Sequence, residues 1–319
     1  MKKKIWWIAG LLLLTGMMLC IASAAAAGFD WRGLSTVSLV TQTYPIDQAF
    51  SAIAVEGGEA NVHLLPAGDG ECRAVCTQSE NVSLTYAVSV SDGVLTLRAN
   101  DRRHWYEHVG FFFGSMEVAL YLPEADYRRL TVRTSSGSIH IPAEFSFGEA
   151  QVESASGAVQ FRAGVGNALT LETSSGSIFV ANAAPKTLTA RSQSGGITLE
   201  AVDTAQTLTT ETASGRLSLT DVTCGTLAAS TVSGSIRLTN VLASETISAQ
   251  SSSGRVLLDR CDGAALSIRT TSGSVSGTLL SDKVFLTDTS SGRVNVPRTV
   301  TGGTCEITTA SGNIDLSIQ

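Results

Sequence analysis

From Leu130 to the C-terminus, apolar and polar side chains alternate in short runs, and the runs return every 19 or 20 residues in phase with a Ser-Gly pair. The glycines of these pairs are Gly137, Gly157, Gly176, Gly195, Gly215, Gly234, Gly254, Gly273, Gly292 and Gly312. Two residues after each glycine stands an aliphatic side chain, from Ile139 and Val159 to Val294 and Ile314; four after it the row is apolar except at Gly277. Seven before it the row reads Leu130, Ala150, Leu169, Leu188, Leu208, Leu227, Ile247, Leu266, Phe285 and Cys305. Apolar residues spaced by two mean a strand with one buried face, so each repeat holds two strands of about five residues. The Ser-Gly corner divides them, and a second turn carries Asn182, Asp221, Asn240 or Asp259.

A meander of hairpins would alternate in the same way, but it would not set like residues in like rows at a fixed period. Stacked coils do. The pattern predicts an all-β, single-stack β-solenoid (β-helix) of about ten 19–20-residue coils, rising about 4.8 Å per coil into a rod on the order of 45 to 50 Å long. Glycine at the corner is expected to supply a positive φ. Three residues before each glycine the chain has Thr or Ser, from Thr134 and Ser154 to Thr289 and Thr309. That row is expected to be structural, its hydroxyls satisfying one another and the corner backbone.

The outward rows carry the candidate chemistry. Four before the glycine they read Arg133, Glu153, Glu172, Arg191, Glu211, Ser230, Gln250, Arg269, Asp288 and Thr308. Opposite charges on adjacent coils can pair, each exposed pair contributing roughly 0 to 1 kcal/mol, so the row reads first as a solvated face and second as a recognition surface. After the glycine there is no acidic row to hold calcium. No repeat carries an inserted loop to wall an active site, and no Asp, Glu or His constellation falls on neighbouring coils. Hexapeptide acyltransferase repeats, glycine-aspartate nonapeptides and Gly-x-Ser-x-Gly are absent from the sequence. These features predict a protein that is not an enzyme and uses neither cofactor nor metal.

The N-terminus sets the location. Lys2, Lys3 and Lys4 precede an apolar and small-residue stretch from Ile5 to Gly28. At about 20 residues or more it is long enough to span a bilayer with the lysines in the cytoplasm. The alanines of Ala22 to Ala27 also suit signal-peptidase cleavage, so two readings stand, an uncleaved single-pass anchor and a secreted protein. Both export the rod. Large residues before Cys20 argue against lipidation of that cysteine. With those lysines set aside, 19 basic side chains face 28 acidic ones, and the formal charge of -6 becomes -9. Such a chain is a poor ligand for nucleic acid or an anionic membrane surface. Cys72, Cys76, Cys224, Cys261 and Cys305 are odd in number and do not share a row, which predicts buried free thiols.

The chain thus divides into a signal segment at 1–28, an N-terminal cap with irregular β coils at 29–125, and regular repeats at 126–319. In the middle part Asp92-Gly93 reads as a tight turn. Between Asp101 and Gly114 lie His104, Trp105, Tyr106, His108, Phe111, Phe112 and Phe113. This cluster reads as an aromatic plug over the end of the rod, with Trp105, Tyr106, Phe111 and Phe112 as the alternative partner surface. His104 and His108 have no further ligands nearby, which leaves a metal site weakly supported. At the other end the chain stops at Ile318-Gln319 with no cap in sequence, which predicts an open last coil and weak end-to-end self-association through Leu316.

Gly28-Phe29-Asp30 with Leu34-Ser35-Thr36-Val37, the run Arg102 to Gly114, the Tyr121-Leu122-Pro123 step and the Ser-Gly repeats resemble the exported β-strand-repeat family called putative adhesins, domain of unknown function 4097. Family members usually carry Thr-Gly-Asp at the corner, and this chain instead has Ser-Gly followed by Ser, Arg, Ala, Gly or Asn. The resemblance implies a non-catalytic cell-surface role with a protein or glycan ligand of the cell envelope, or a self-assembling membrane-anchored scaffold. It carries over no functional residues.

Overall fold

The computed structural model of the chain describes residues 12–19, 21–23, 25, 39–80, 83–103 and 115–319. The described residues between 12 and 25 are helical, and no helix among the described residues is long and apolar enough to cross a membrane. The rest of the regular structure among the described residues is β: a succession of strands stacked coil upon coil into a solenoid and joined as one continuous sheet.

The rows read from the sequence are the rungs of this stack. Ser146–Ser154 pairs in parallel with Asp126–Thr134 on one side and Gly164–Thr173 on the other, so that Leu130, Ala150 and Leu169 stand above one another. On the next face Ile139–Ile141, Val159–Phe161 and Ile178–Ala181 stack likewise. The inward residues of both faces fill a single core running the length of the rod. Each fully buried Leu or Ile contributes about 1.5 to 3 kcal/mol relative to an exposed one, which makes the alternation itself the main determinant of the fold.

The second turn is where the backbone enters the left-handed region. Asn182, Ala201, Asp221, Asn240 and Arg260 have φ of 58°, 51°, 53°, 53° and 53°. In the fifth of these coils the turn residue is therefore Arg260, one position beyond the expected Asp259. Asn and Asp tolerate this conformation, and Asn240 Nδ2 also donates to Asp221 Oδ1 at 2.7 Å. Ala201 has neither advantage, so Ala201→Asn is expected to raise stability by about 1 kcal/mol, read as a higher Tm.

The corner glycines require a correction. None of them adopts a positive φ. They are glycine because coils touch there: a Cβ on Gly215 would overlap the carbonyl oxygen of Gly195, and one on Gly234 that of Gly215. Close approach of two backbones, not a left-handed turn, selects the residue.

Sequence order and spatial order part company at both ends. Gly303–Thr309 is sandwiched between Val256–Thr270 and Lys283–Thr289, and Ile314–Ile318 between Val275–Leu279 and Val294–Asn295. The last coil in sequence is thus the penultimate coil in space. At the other end Ala52–Gly58 lies between Val94–Asp101 and Asp126–Thr134, and Asn61–Pro66 between Glu117–Leu122 and Ile139–Ile141. Antiparallel strands close that end. Leu84–Ser91 folds back on Val94–Asp101 through the Asp92-Gly93 turn, while Arg73–Ser79 pairs with Glu117–Leu122 and carries Leu39–Pro45 outside it.

The expectation that Leu316 lies on an open terminal coil is therefore overturned. It is 3% exposed, with Gly277 as its partner on the adjoining strand Val275–Leu279. Among the described residues, Lys283–Thr289 and Val294–Asn295 pair on one side only, and Leu286 there is 55% exposed. Deleting residues 303–319 is expected to release 283–302 as well, because these strands pair only with the deleted ones; limited proteolysis would then cut near residue 280.

Candidate functional site: a groove along the Ser-Gly corner

Just before each corner the chain bends inward. The residue three before the glycine points into the bend, and its neighbours at four and two before the glycine stand out as rims about 6 to 7 Å apart along the chain. Stacking repeats this profile from coil to coil and opens a groove of about 1270 Å³ that runs from Glu56 and Gly58 at one end to Thr308 at the other.

The floor is the Thr/Ser row, and its chemistry is fully committed. Ser154 Oγ accepts from Gly157 N, Thr212 Oγ1 from Gly215 N and Ser251 Oγ from Gly254 N, at 2.8, 3.1 and 2.8 Å. Each hydroxyl then donates to a glycine carbonyl of the adjacent coil, as Thr212 does to Gly195 O and Ser251 to Gly234 O, both at 3.0 Å. Thr309 donates to Gly273 O and Thr289 to Gly312 O, following the spatial order of the coils. Hydroxyl-to-hydroxyl bonding, expected along the whole row, occurs in Thr134 to Ser154. One short side chain thus satisfies a backbone donor within its coil and a backbone acceptor in the next, which is why Val at this position would not serve.

One rim is the charged row. Arg133 Nε lies 3.0 Å from Glu153 Oε2, and Arg191 reaches Glu172 at 3.5 Å and Glu211 at 3.3 Å. At the N-terminal end Arg98 and Glu56 continue the row at 2.5 Å, and Arg269 is 3.3 Å from Glu306, outside the row. All of these pairs are solvated, so together they hold the register of the rim more than they stabilise the fold. The opposite rim is small and mostly neutral, with Ser135, Ser174, Ala213 and Val232 among its residues.

A second cluster lies under the outermost coil. Lys283, 3% exposed, places Nζ 2.7 Å from Asp262 Oδ1 and 2.6 Å from Ser281 Oγ, while Ser281 Oγ donates to Asp262 Oδ1 at 2.8 Å. Burial alone would raise the Asp262 pKa; bonds from Lys283, Ser281 and the Gly263 N–H, with the lysine charge, outweigh it and hold the carboxyl below its ordinary value. A serine beside a lysine can be a nucleophile, but here the serine proton and the lysine charge are both directed to one carboxylate. The triad ties Lys283–Thr289 to the coil of Asp262, and its chemistry is structural.

Trp105, Tyr106, Phe111 and Phe112, with His104 and His108, lie outside the described residues. Among the described residues no three His, Cys, Asp or Glu side chains gather as a metal site. The five described cysteines are free thiols, buried except for the half-buried Cys72. Burial pushes Cys76 and Cys305 up to about 12 and Cys72, Cys224 and Cys261 to about 11. Thiolate is the reactive form, so native Cys20→Ser protein at pH 8 is expected to leave all five unlabelled by a thiol reagent, and unfolded protein to react at all five.

These features define the class: a parallel β-solenoid whose stacked corners form a continuous polar groove. Its sequence matches the family model described as Toastrack DUF4097 over residues 50–208 and 201–319, and the chain belongs to that family. The fold is that of the crystal structure of a "putative adhesin" from Parabacteroides merdae, with a TM-score of 0.52 and 17% identity over 76% of this chain and 97% of the other. A "putative adhesin" from Parabacteroides distasonis gives a TM-score of 0.52 with 15% identity over 77% and 98% of the two chains. A "putative lipid binding protein" from the same organism gives 0.52 with 18% identity, again over 77% and 98%. No curated protein sequence matches the chain.

Proposed function

We propose that the protein is an exported, non-catalytic cell-envelope module that displays the rod outside the cytoplasmic membrane and binds an extended partner along the corner groove. The observation that carries this reading is the groove, open and continuous over the stacked coils, with every floor hydroxyl locked in place. Rigid, prepaid geometry of this kind suits recognition, since little entropy remains to be lost on binding. Lys2 to Lys4 followed by the apolar Ile5 to Gly28 support export, and adhesin descriptions of proteins sharing the fold agree with a surface role.

Protease added to intact, wall-stripped cells should digest the repeats and leave a membrane-bound N-terminal fragment if the anchor is retained. Mature protein beginning near Gly28 and found only in the medium points to cleavage, and repeats protected in intact cells refute export. A second reading, a rod that adds end to end, is favoured by the one-sided strand Lys283–Thr289 with Leu286 exposed. Sedimentation over a wide concentration range, with Leu286→Lys as control, separates the two.

A further inference from the structure

We infer that the occupant of the corner groove is a single strand of a linear, uncharged glycan, an inference that rests on the groove's being the binding surface. The groove is lined by the same three row positions on successive coils, which suits a chain with a repeat better than a compact small molecule or a folded epitope. Its charges cancel locally: four carboxylates, Glu56, Glu153, Glu172 and Glu211, share it with Arg133, Arg191 and Arg269. Arg133 and Arg191 are already paired with carboxylates of the same rim. A polyanion or polycation therefore meets no field of one sign to draw it in.

The floor also refuses a peptide. Strand addition needs a free row of N–H and C=O groups, and the corner backbone here bonds along the rod axis and through the Thr/Ser hydroxyls. An acyl chain would strip water from guanidiniums, carboxylates and amides and return no hydrogen bonds. The row two before the glycine, one position about every 4.8 Å, offers neutral donors and acceptors at Ser135, Ser174 and Gln193 and small apolar contacts at Ala213 and Val232. Sugar hydroxyls and C–H faces complement that mixture. Each coil contributes little by itself, so affinity must grow with the number of sugar units until the strand fills the groove.

The test is calorimetric titration of the full chain in detergent with dimers to octamers of four neutral glycans: β-1,4-linked N-acetylglucosamine, glucose and mannose, and α-1,4-linked glucose. Oligogalacturonate and fully deacetylated chitosan oligomers of equal length serve as anionic and cationic probes. At least one neutral series should gain tenfold or more in affinity from dimer to hexamer. Filling the groove with Ser174→Trp plus Val232→Trp, both exposed positions, should remove that gain while leaving the Tm unchanged. No binding by any neutral series, or tighter binding of either charged series, overturns the inference. A parallel assay on isolated cell-envelope material separates the two layers. If the filled variant loses envelope binding while no neutral glycan binds, the ligand class is wrong and the groove stands; if it binds envelope like wild type, both fall.

Discussion

Gly215→Ala should cost the rod about 3 to 5 kcal/mol, and Gly215→Asn should cost as much. The added Cβ overlaps the Gly195 carbonyl oxygen, a backbone atom that no rotamer change can move aside. Relief requires the two coils to part at the corner, which also breaks the bond between them from Thr212 Oγ1 to Gly195 O, worth about 0.5 to 1.5 kcal/mol. Asn is the informative comparison, because a corner that needed only positive φ would accept it. Arg216→Ala, next in sequence and exposed, should stay within about 0.5 kcal/mol of wild type. Denaturant melts of the four proteins decide the matter, and an Asn variant near wild type would refute close approach as the cause.

Asp262→Ala should cost about 3 to 5 kcal/mol by leaving the Lys283 ammonium buried without its carboxylate. The loss should be local first. Hydrogen exchange in 283–302 and in 303–319 should quicken together, with the coils from 126 to 250 protected as before. Replacing both members, Asp262→Leu with Lys283→Met, should recover most of the loss, since no charge is then buried. Acid should imitate the single variant. Because Asp262 is held below its ordinary pKa in the folded state, its contribution is fully present above the usual carboxylate range of about 4 and disappears as pH falls through the depressed folded value. Outer-coil exchange that quickens as the pH falls below about 4 in wild type, but not in the double variant, is the expected signature.

The rows at seven before the glycine, and two and four after it, were legible because burial acts on them one residue at a time. Leu130 is apolar for the same reason as Leu169, and the period of two needs no knowledge of neighbours. What escaped were relations between coils. Phe285 and Cys305, Thr289 and Thr309, and Val294 and Ile314 occupy the same rows, so the sequence cannot tell which repeat lies outside the other; burial can, since Ile314 is buried and Val294 is 41% exposed. The corner glycine was ambiguous because a left-handed turn and a close backbone contact exclude side chains equally. Likewise the groove was half visible: the Thr/Ser row and its charged neighbours could be aligned, but the concavity between them comes from the bend, which residue types alone do not report. Lys283 and Asp262 belong to unlike places in their repeats, so no shared row marks them as partners.

Both tips of the rod are made from repeats placed out of sequence order, and this bears on how such a protein comes apart and how it can lengthen. An ordinary solenoid frays one terminal repeat at a time, each loss exposing the next. Here the C-terminal repeat cannot peel away without ripping out a strand held on both sides, and the outermost repeat is tethered by chain at both of its ends. Unravelling from this tip must therefore remove two repeats in a single event, raising the barrier where a linear stack is weakest. The same threading keeps any further repeat from stacking directly on Ile314–Ile318, whose two sides are both occupied. A rod of this kind lengthens without disturbing that tip when whole 19- or 20-residue units are duplicated in the middle, the interleaved end travelling unchanged.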